Sequence, residues 1–145
     1  MIMTQEDKEL LIKDLCARLP YRIKASYYGA EEEREIWDEI ESVTLDGYVD
    51  IGQYSLSIEH IKPYLFPMSS MTDEQSHKFY CGFVENEIDY NDFKKYYFDS
   101  CSWDKVLTLI SDCSDIIDWF NENHFDYRGL IEKGLAIDAT GLNIY

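Results

Sequence analysis

A change of hydrophobic period at Pro20 constrains this chain more than any other feature. Between Thr4 and Leu19 the residues Leu11, Leu15 and Leu19 recur at every fourth position, joined by Leu10 and Ile12. That spacing gathers them on one face of an α-helix. Thr4 offers an N-cap hydroxyl, and Gln5, Glu6 and Asp7 fill the first turn with polar or negative groups, where the helix dipole favours them. Pro20 then drives Leu19 out of the α region and ends the helix. Across Tyr21 to Tyr28 the period becomes two, with Tyr21, Ile23, Ala25 and Tyr27 alternating with Arg22, Lys24, Ser26 and Tyr28. Such alternation predicts a half-buried strand. A helix leading directly into that strand points to an α+β fold, with the N-terminal helix packed on a small antiparallel sheet.

The following residues supply more strands and then more helices. Gly29 and the Ala-Glu-Glu-Glu run end the first strand, and Ile36 to Leu45 carries a second. Asp46-Gly47 is a tight-turn signal, Tyr48, Val49 and Ile51 make a third short strand, and Gln53 to Leu56 extends or repeats the pairing. The expected sheet has three or four strands. Ser57 to Met71 reads as a connector, pinned by Ile58, Ile61, Leu65 and Phe66 and stiffened by Pro63 and Pro67. Thr72 and Gln75 form a capping box that opens a helix with Phe79, Tyr80 and Phe83. The acidic run Glu85 to Asp92 reads as a loop, Tyr96-Tyr97-Phe98 as core, and Lys105 to Ile110 as a strand in preference to a helix. A further helix runs from about Asp112 to Asn123, with Cys113, Ile116, Ile117 and Phe120 on one side. The 145 residues fit a single domain, residues 1–145, large enough to bury a core.

Charge narrows the partner. An apolar fraction of 46% with 15% aromatic residues excludes a disordered tail despite a formal charge of −16. That charge repels nucleic acid and anionic membranes, so the expected partner is another protein with a basic surface. No window approaches the ~18 apolar residues of a membrane helix. Met1 to Leu10 lacks the basic flank and apolar run of a secretory leader. Cys16, Cys81, Cys101 and Cys113 show neither a C-x-x-C pair nor a framework spacing, which reads as reduced thiols in a cytoplasmic protein.

One stretch gathers groups able to do chemistry. In NENHFDYRG (121–129), His124, Asp126 and Arg128 alternate with Phe125 and Tyr127. On an extended segment Asp126 would orient His124, and Arg128 would hold a carboxylate or phosphate. His124, Asp126, Tyr127 and Arg128 are accordingly the candidate binding residues. The competing reading is a helix end and corner, in which His124 meets the last carbonyls, Asp126 caps the next element and Arg128 pairs with an acid. No nucleophile with a local base and no glycine-rich phosphate cradle lies beside them. His77 and Cys81 stand four apart, but with Cys101 and Cys113 they match no zinc module. No metal or cofactor is expected.

The segments KDLCARLPY (13–21), KPYLFPMSSMT (62–72) and above all NHFDYRGLIEKGLAIDATGLNIY (123–145) resemble a family of small uncharacterised proteins from gut Bacteroidales genomes and their phages or other mobile elements. The resemblance covers those segments and not residues 29–56 or 81–117. It implies an origin and carries no activity to transfer. Two classes of function follow from the residues themselves. One is a non-enzymatic acidic accessory protein that binds another protein through a tyrosine-rich surface. The alternative is a small hydrolase or transferase using His124, Asp126 and Arg128. The apolar ending, Leu142, Ile144 and Tyr145, is expected to dock on the fold.

Overall fold

In the computed structural model, which describes residues 3–83 and 113–145, helix α1 spans Gln5–Arg18 with Thr4 as its N-cap. The Thr4 hydroxyl accepts from the Asp7 amide at 3.1 Å, satisfying one of the donors that a helix start leaves open. Pro20 does not drive Leu19 out of the α region: Leu19 keeps φ −50° and ψ −44°. Leu19–Tyr21 continues as a 3-10 turn, and the chain leaves the helical path at Arg22, with φ 63°. The first strand therefore begins later than the alternation predicts: β1 is Lys24–Gly29. Tyr21 and Arg22 are consumed in turning the chain from helix to sheet. Arg22 is held there by a forked pair to Glu39, Nε to Oε1 at 2.9 Å and Nη2 to Oε2 at 3.2 Å.

Strands β2 (Arg34–Val43), β3 (Tyr48–Ile51) and β4 (Tyr54–Ser57) continue an antiparallel meander from β1. The β3–β4 connection is the two-residue turn Gly52-Gln53, with Ile51 paired to Tyr54. Gly52 has φ 56°, and a Cβ there would lie 2.6 Å from the Tyr27 hydroxyl. Primed hairpin turns demand that positive φ, and any other residue there would have to displace the Tyr27 hydroxyl. Two more strands lie beyond β1, namely β5 (Lys62–Leu65) and β6 (Ile137–Asp138). The sheet has six strands in the order β4-β3-β2-β1-β5-β6, antiparallel except for the β5–β6 pair. This is larger than the expected three or four strands, because part of the presumed connector is β5. Pro63, which has no N–H to give, precedes Tyr64 and Leu65, the residues that pair with β6.

The fold is α+β: an N-terminal helix, a mostly antiparallel sheet, and further helices in the C-terminal half. The described chain divides into two compact units, Met1–Leu65 with Arg128–Tyr145, and Phe66–Tyr127. In the first, Leu11 and Leu15 of α1 are fully buried with Ala25, Val49, Ile51 and Leu65 of the sheet. Each of the leucine, valine and isoleucine side chains stabilises the fold by roughly 1.5–3 kcal/mol relative to exposure.

The second unit holds α2 (Asp73–Phe83) and α3 (Cys113–Glu122). The capping box at α2 is reciprocal. The Gln75 amide donates to the Thr72 hydroxyl at 3.1 Å, and the Thr72 amide donates to the Gln75 side chain at 2.9 Å. Its core is aromatic: Phe79 stacks on Phe120 at 5.6 Å, and Trp119 stacks on Phe125 at 5.8 Å. The Glu85–Asp92 loop, the Tyr96-Tyr97-Phe98 cluster, the Lys105–Ile110 strand and Cys101 lie outside the described residues. Among the described residues no helix is long and apolar enough to cross a membrane.

Candidate interaction face

Pleating sorts the strand residues of the first unit by face. Ala25, Tyr27, Ile40, Val49 and Ile51 turn inward and are buried. Lys24, Ser26 and Tyr28 of β1 therefore point to the opposite face, where they pair with Glu39, Trp37 and Glu35 of β2. Tyr48 and Asp50 of β3 share that face, the register being carried past a bulge between Ile40 and Ser42. Trp37, Tyr48 and Tyr28 are 47%, 52% and 53% exposed. Among the described residues four aromatic side chains are exposed, Tyr145 being the fourth, and the pleat sets these three on one sheet face.

Carboxylates rim the rings, and each is fixed by a neighbour. Ser42 donates to Asp50 at 2.7 Å. That bond, with a second from the Ser55 hydroxyl, holds the Asp50 carboxyl below its ordinary range. The hydrogen bond from Arg22 does the same for Glu39. Glu35 accepts from Ser26 at 3.2 Å. At the turn after β1, Tyr54 donates to Glu32 at 2.9 Å and Gln53 donates to Glu31 at 3.0 Å. Glu35 and Glu39 are thus displayed by an ordered strand, and Glu31 and Glu32 are held in the turn that precedes it.

Lys24 crosses this face. Its ammonium lies 5.1 Å from the Trp37 ring centre and 5.6 Å from that of Tyr145, and it donates to the Ile144 carbonyl at 2.8 Å. Trp37 already serves as a cation platform within the chain itself.

The four residues singled out from the sequence divide between the two units. In Phe66–Tyr127, His124 follows α3 with φ 61°, the left-handed conformation usual just past a helix end. Its amide donates to the Asn121 carbonyl at 3.1 Å, and its carbonyl accepts from the Phe66 amide at 2.8 Å. Asp126 is buried, and its amide donates to the Phe66 carbonyl at 2.8 Å. Tyr127 stacks on Phe120 at 5.7 Å and donates its hydroxyl to Asn121 at 3.0 Å. The stretch is no extended run: it leaves a helix through a left-handed residue, makes one bridge to Phe66 and turns again at residues 127–128.

Arg128 belongs to the other unit. Its Nε donates to Asp14 Oδ1 at 3.0 Å, and Arg18 Nε donates to Asp14 Oδ2 at 2.8 Å. Asp14 and Arg18 have no exposed side-chain surface. One buried carboxylate on α1 therefore gathers two guanidinium groups. Among the described residues no group of three or more histidine, cysteine or acidic side chains is arranged to hold a metal ion.

Sequence reasoning found the strands that carry Tyr28, Trp37 and Tyr48 but did not single out these residues. Their alternation with buried neighbours was the available signal. Compared with known proteins, the chain matches no family model, no curated protein and no solved structure.

Proposed function

We propose that this protein is a non-enzymatic accessory protein of the cytoplasm that binds another protein through the open face of its sheet. The observation that carries the proposal is the exposure of Tyr28, Trp37 and Tyr48 on one face rimmed by Glu35, Glu39 and Asp50. Tyrosine and tryptophan supply large contact areas at small entropic cost, and interface cores are enriched in them. The net charge of −16 selects a partner with a basic surface and opposes nucleic acid. The engagement of Arg128 by Asp14 weighs against the hydrolase or transferase reading, since a guanidinium held by a buried carboxylate is not free to clamp a substrate. The resemblance of residues 13–21, 62–72 and 123–145 to proteins of gut Bacteroidales and their phages supports a mobile-element origin.

The test compares the wild-type chain with Trp37→Ala and Tyr48→Ala as bait. The expected result is a captured protein with a basic surface, whose retention falls with either substitution and with added salt, while duplex DNA gives no shift. Salt-sensitive, sub-micromolar binding to duplex DNA would overturn the partner assignment.

A further inference from the structure

Beside the exposed rings the first unit contains a surface cleft of about 430 Å³, lined by Ser26, Tyr28, Glu35, Glu59, His60, Lys62 and Ile137. We infer that this cleft receives an arginine side chain of the protein partner, stacked on Tyr28 with Glu35 as its counter-ion. The inference rests on the proposed binding of a basic protein and names the group that is recognised.

Tyr28 is half exposed, and its register partner across β1–β2 is Glu35. Directly paired residues on one sheet face bring their side chains to within about 5.5 Å at Cβ. A planar cation can therefore lie over the ring and reach the carboxylate at once. Guanidinium meets both demands, because it stacks on aromatic faces and presents a fork of N–H donors to a carboxylate. The Ser26 hydroxyl donates to Glu35 Oε2 at 3.2 Å, which steadies the carboxylate.

The other charged groups of the lining decide the selectivity. Glu59 is paired with Lys8, whose hydrogen bond and charge hold its carboxyl low, so much of its charge is already answered from α1. Lys62, opposite Ser26 on β5, is the resident cation of the cleft and opposes an incoming one. Beyond the lining, the segment Glu31 to Glu41 carries seven acids against one arginine, Arg34. The field around the mouth therefore favours a cation. The arrangement repeats, for an outside ligand, what Lys24 does on Trp37 within the chain.

The test uses the full chain and two blocked, fluorescein-labelled peptides, one with arginines spaced by glycine and serine and the other with lysines at the same positions. Affinity is read by fluorescence polarisation at fixed salt. The arginine peptide should bind more tightly. Tyr28→Ala and Glu35→Gln should each weaken it about two- to fivefold, the range of an exposed cation–π contact. Lys62→Ala should strengthen it, and Asp46→Asn, which removes a similar charge from the loop after β2, should leave it unchanged. Urea melts of each variant check that the fold is retained. If the peptides bind but Tyr28→Ala and Glu35→Gln behave like Asp46→Asn, the cleft is overturned and the basic-partner proposal stands. If neither peptide binds the wild-type chain, both fall.

Discussion

The hydroxyl of Tyr145 completes the ladder beside Lys24. It accepts from the Lys24 amide at 3.0 Å and donates to the Tyr64 carbonyl at 2.8 Å, so a side chain links β1 to β5 at the end of their short pairing. The Lys24 ammonium returns the contact by donating to Ile144 and lying against the Tyr145 ring. Tyr145→Phe keeps the ring and deletes the link. Urea melts should show a loss of about 1–2 kcal/mol, the scale of hydrogen bonds removed with their partners left behind. Removing Gly141 to Tyr145 also takes away the buried Ile144 and should lower stability by about 2–5 kcal/mol.

The same hydroxyl sets an alkaline limit. Although the residue as a whole is 40% exposed, its hydroxyl is withdrawn between two strands, and that desolvation raises the phenol well above its ordinary value. A raised pKa means that the folded state prefers the neutral phenol. The contribution is fully present below the unfolded value, near pH 10, and is lost as pH rises from there through the folded value. Wild-type protein should lose stability above about pH 10 more steeply than Tyr145→Phe. Equal slopes in paired melts would show that Tyr145 is not the titrating group.

What was legible in the sequence was local. Thr4 and the Thr72–Gln75 box act within one turn, so their residues name their own partners. The β2–β3 and β3–β4 turns were readable because glycine marks them. Strands β5 and β6 were not legible, since Pro63 argues for a loop and a two-residue strand has no period to detect. Their pairing of Tyr64 with Ile137 depends on contacts far along the chain. The candidate site was hidden for a related reason. Alternation shows that a strand has two faces, but the placement of α1 over only one of them leaves Trp37 and Tyr28 in solvent. Of the two readings of Arg128, a ligand clamp or a structural pair with an acid, the second fits its bond to Asp14. Its choice of Asp14 on α1, from 29 acids, is a property of the fold.

Asp14 should be the most sensitive charged position. Asp14→Asn removes the buried carboxylate charge that Arg18 and Arg128 share, and breaking a buried pair in this way costs about 3–5 kcal/mol. Arg128→Ala leaves the Asp14–Arg18 pair intact and should cost less, about 2 kcal/mol. A double-mutant cycle in urea measures the coupling. Additive losses would mean that the two arginines do not share the carboxylate.

Acid should weaken the fold through its surface hydrogen bonds. Asp50, Glu39 and Glu59 all have carboxyls held below their ordinary values, by Ser42 and Ser55, by Arg22 and by Lys8 respectively. Their contribution is present above the unfolded value, near pH 4, and is lost as pH falls through the folded value. Asp50→Asn should flatten the acid limb of the stability curve. At neutral pH added salt should raise the melting temperature by screening the repulsion of a −16 chain. A melting temperature that falls with salt would indicate that attractive surface pairs outweigh that repulsion.

His124 provides a test that separates structure from recognition. It stands in the left-handed region just past α3, where a side chain costs about 1–2 kcal/mol per residue and glycine is the usual occupant. If its imidazole serves only the fold, His124→Gly trades side-chain contacts for relief of that cost. Stability should then stay level or rise by up to about 1 kcal/mol. His124→Ala keeps a Cβ in the same region and should lose about 1 kcal/mol, the scale of a helix-end contact. Neither substitution should change retention of the partner, whereas Trp37→Ala should. The opposite pattern would move the contact surface to the corner and end the sheet-face proposal: His124→Gly with an unchanged urea melt and no captured partner, beside a Trp37→Ala variant that binds normally.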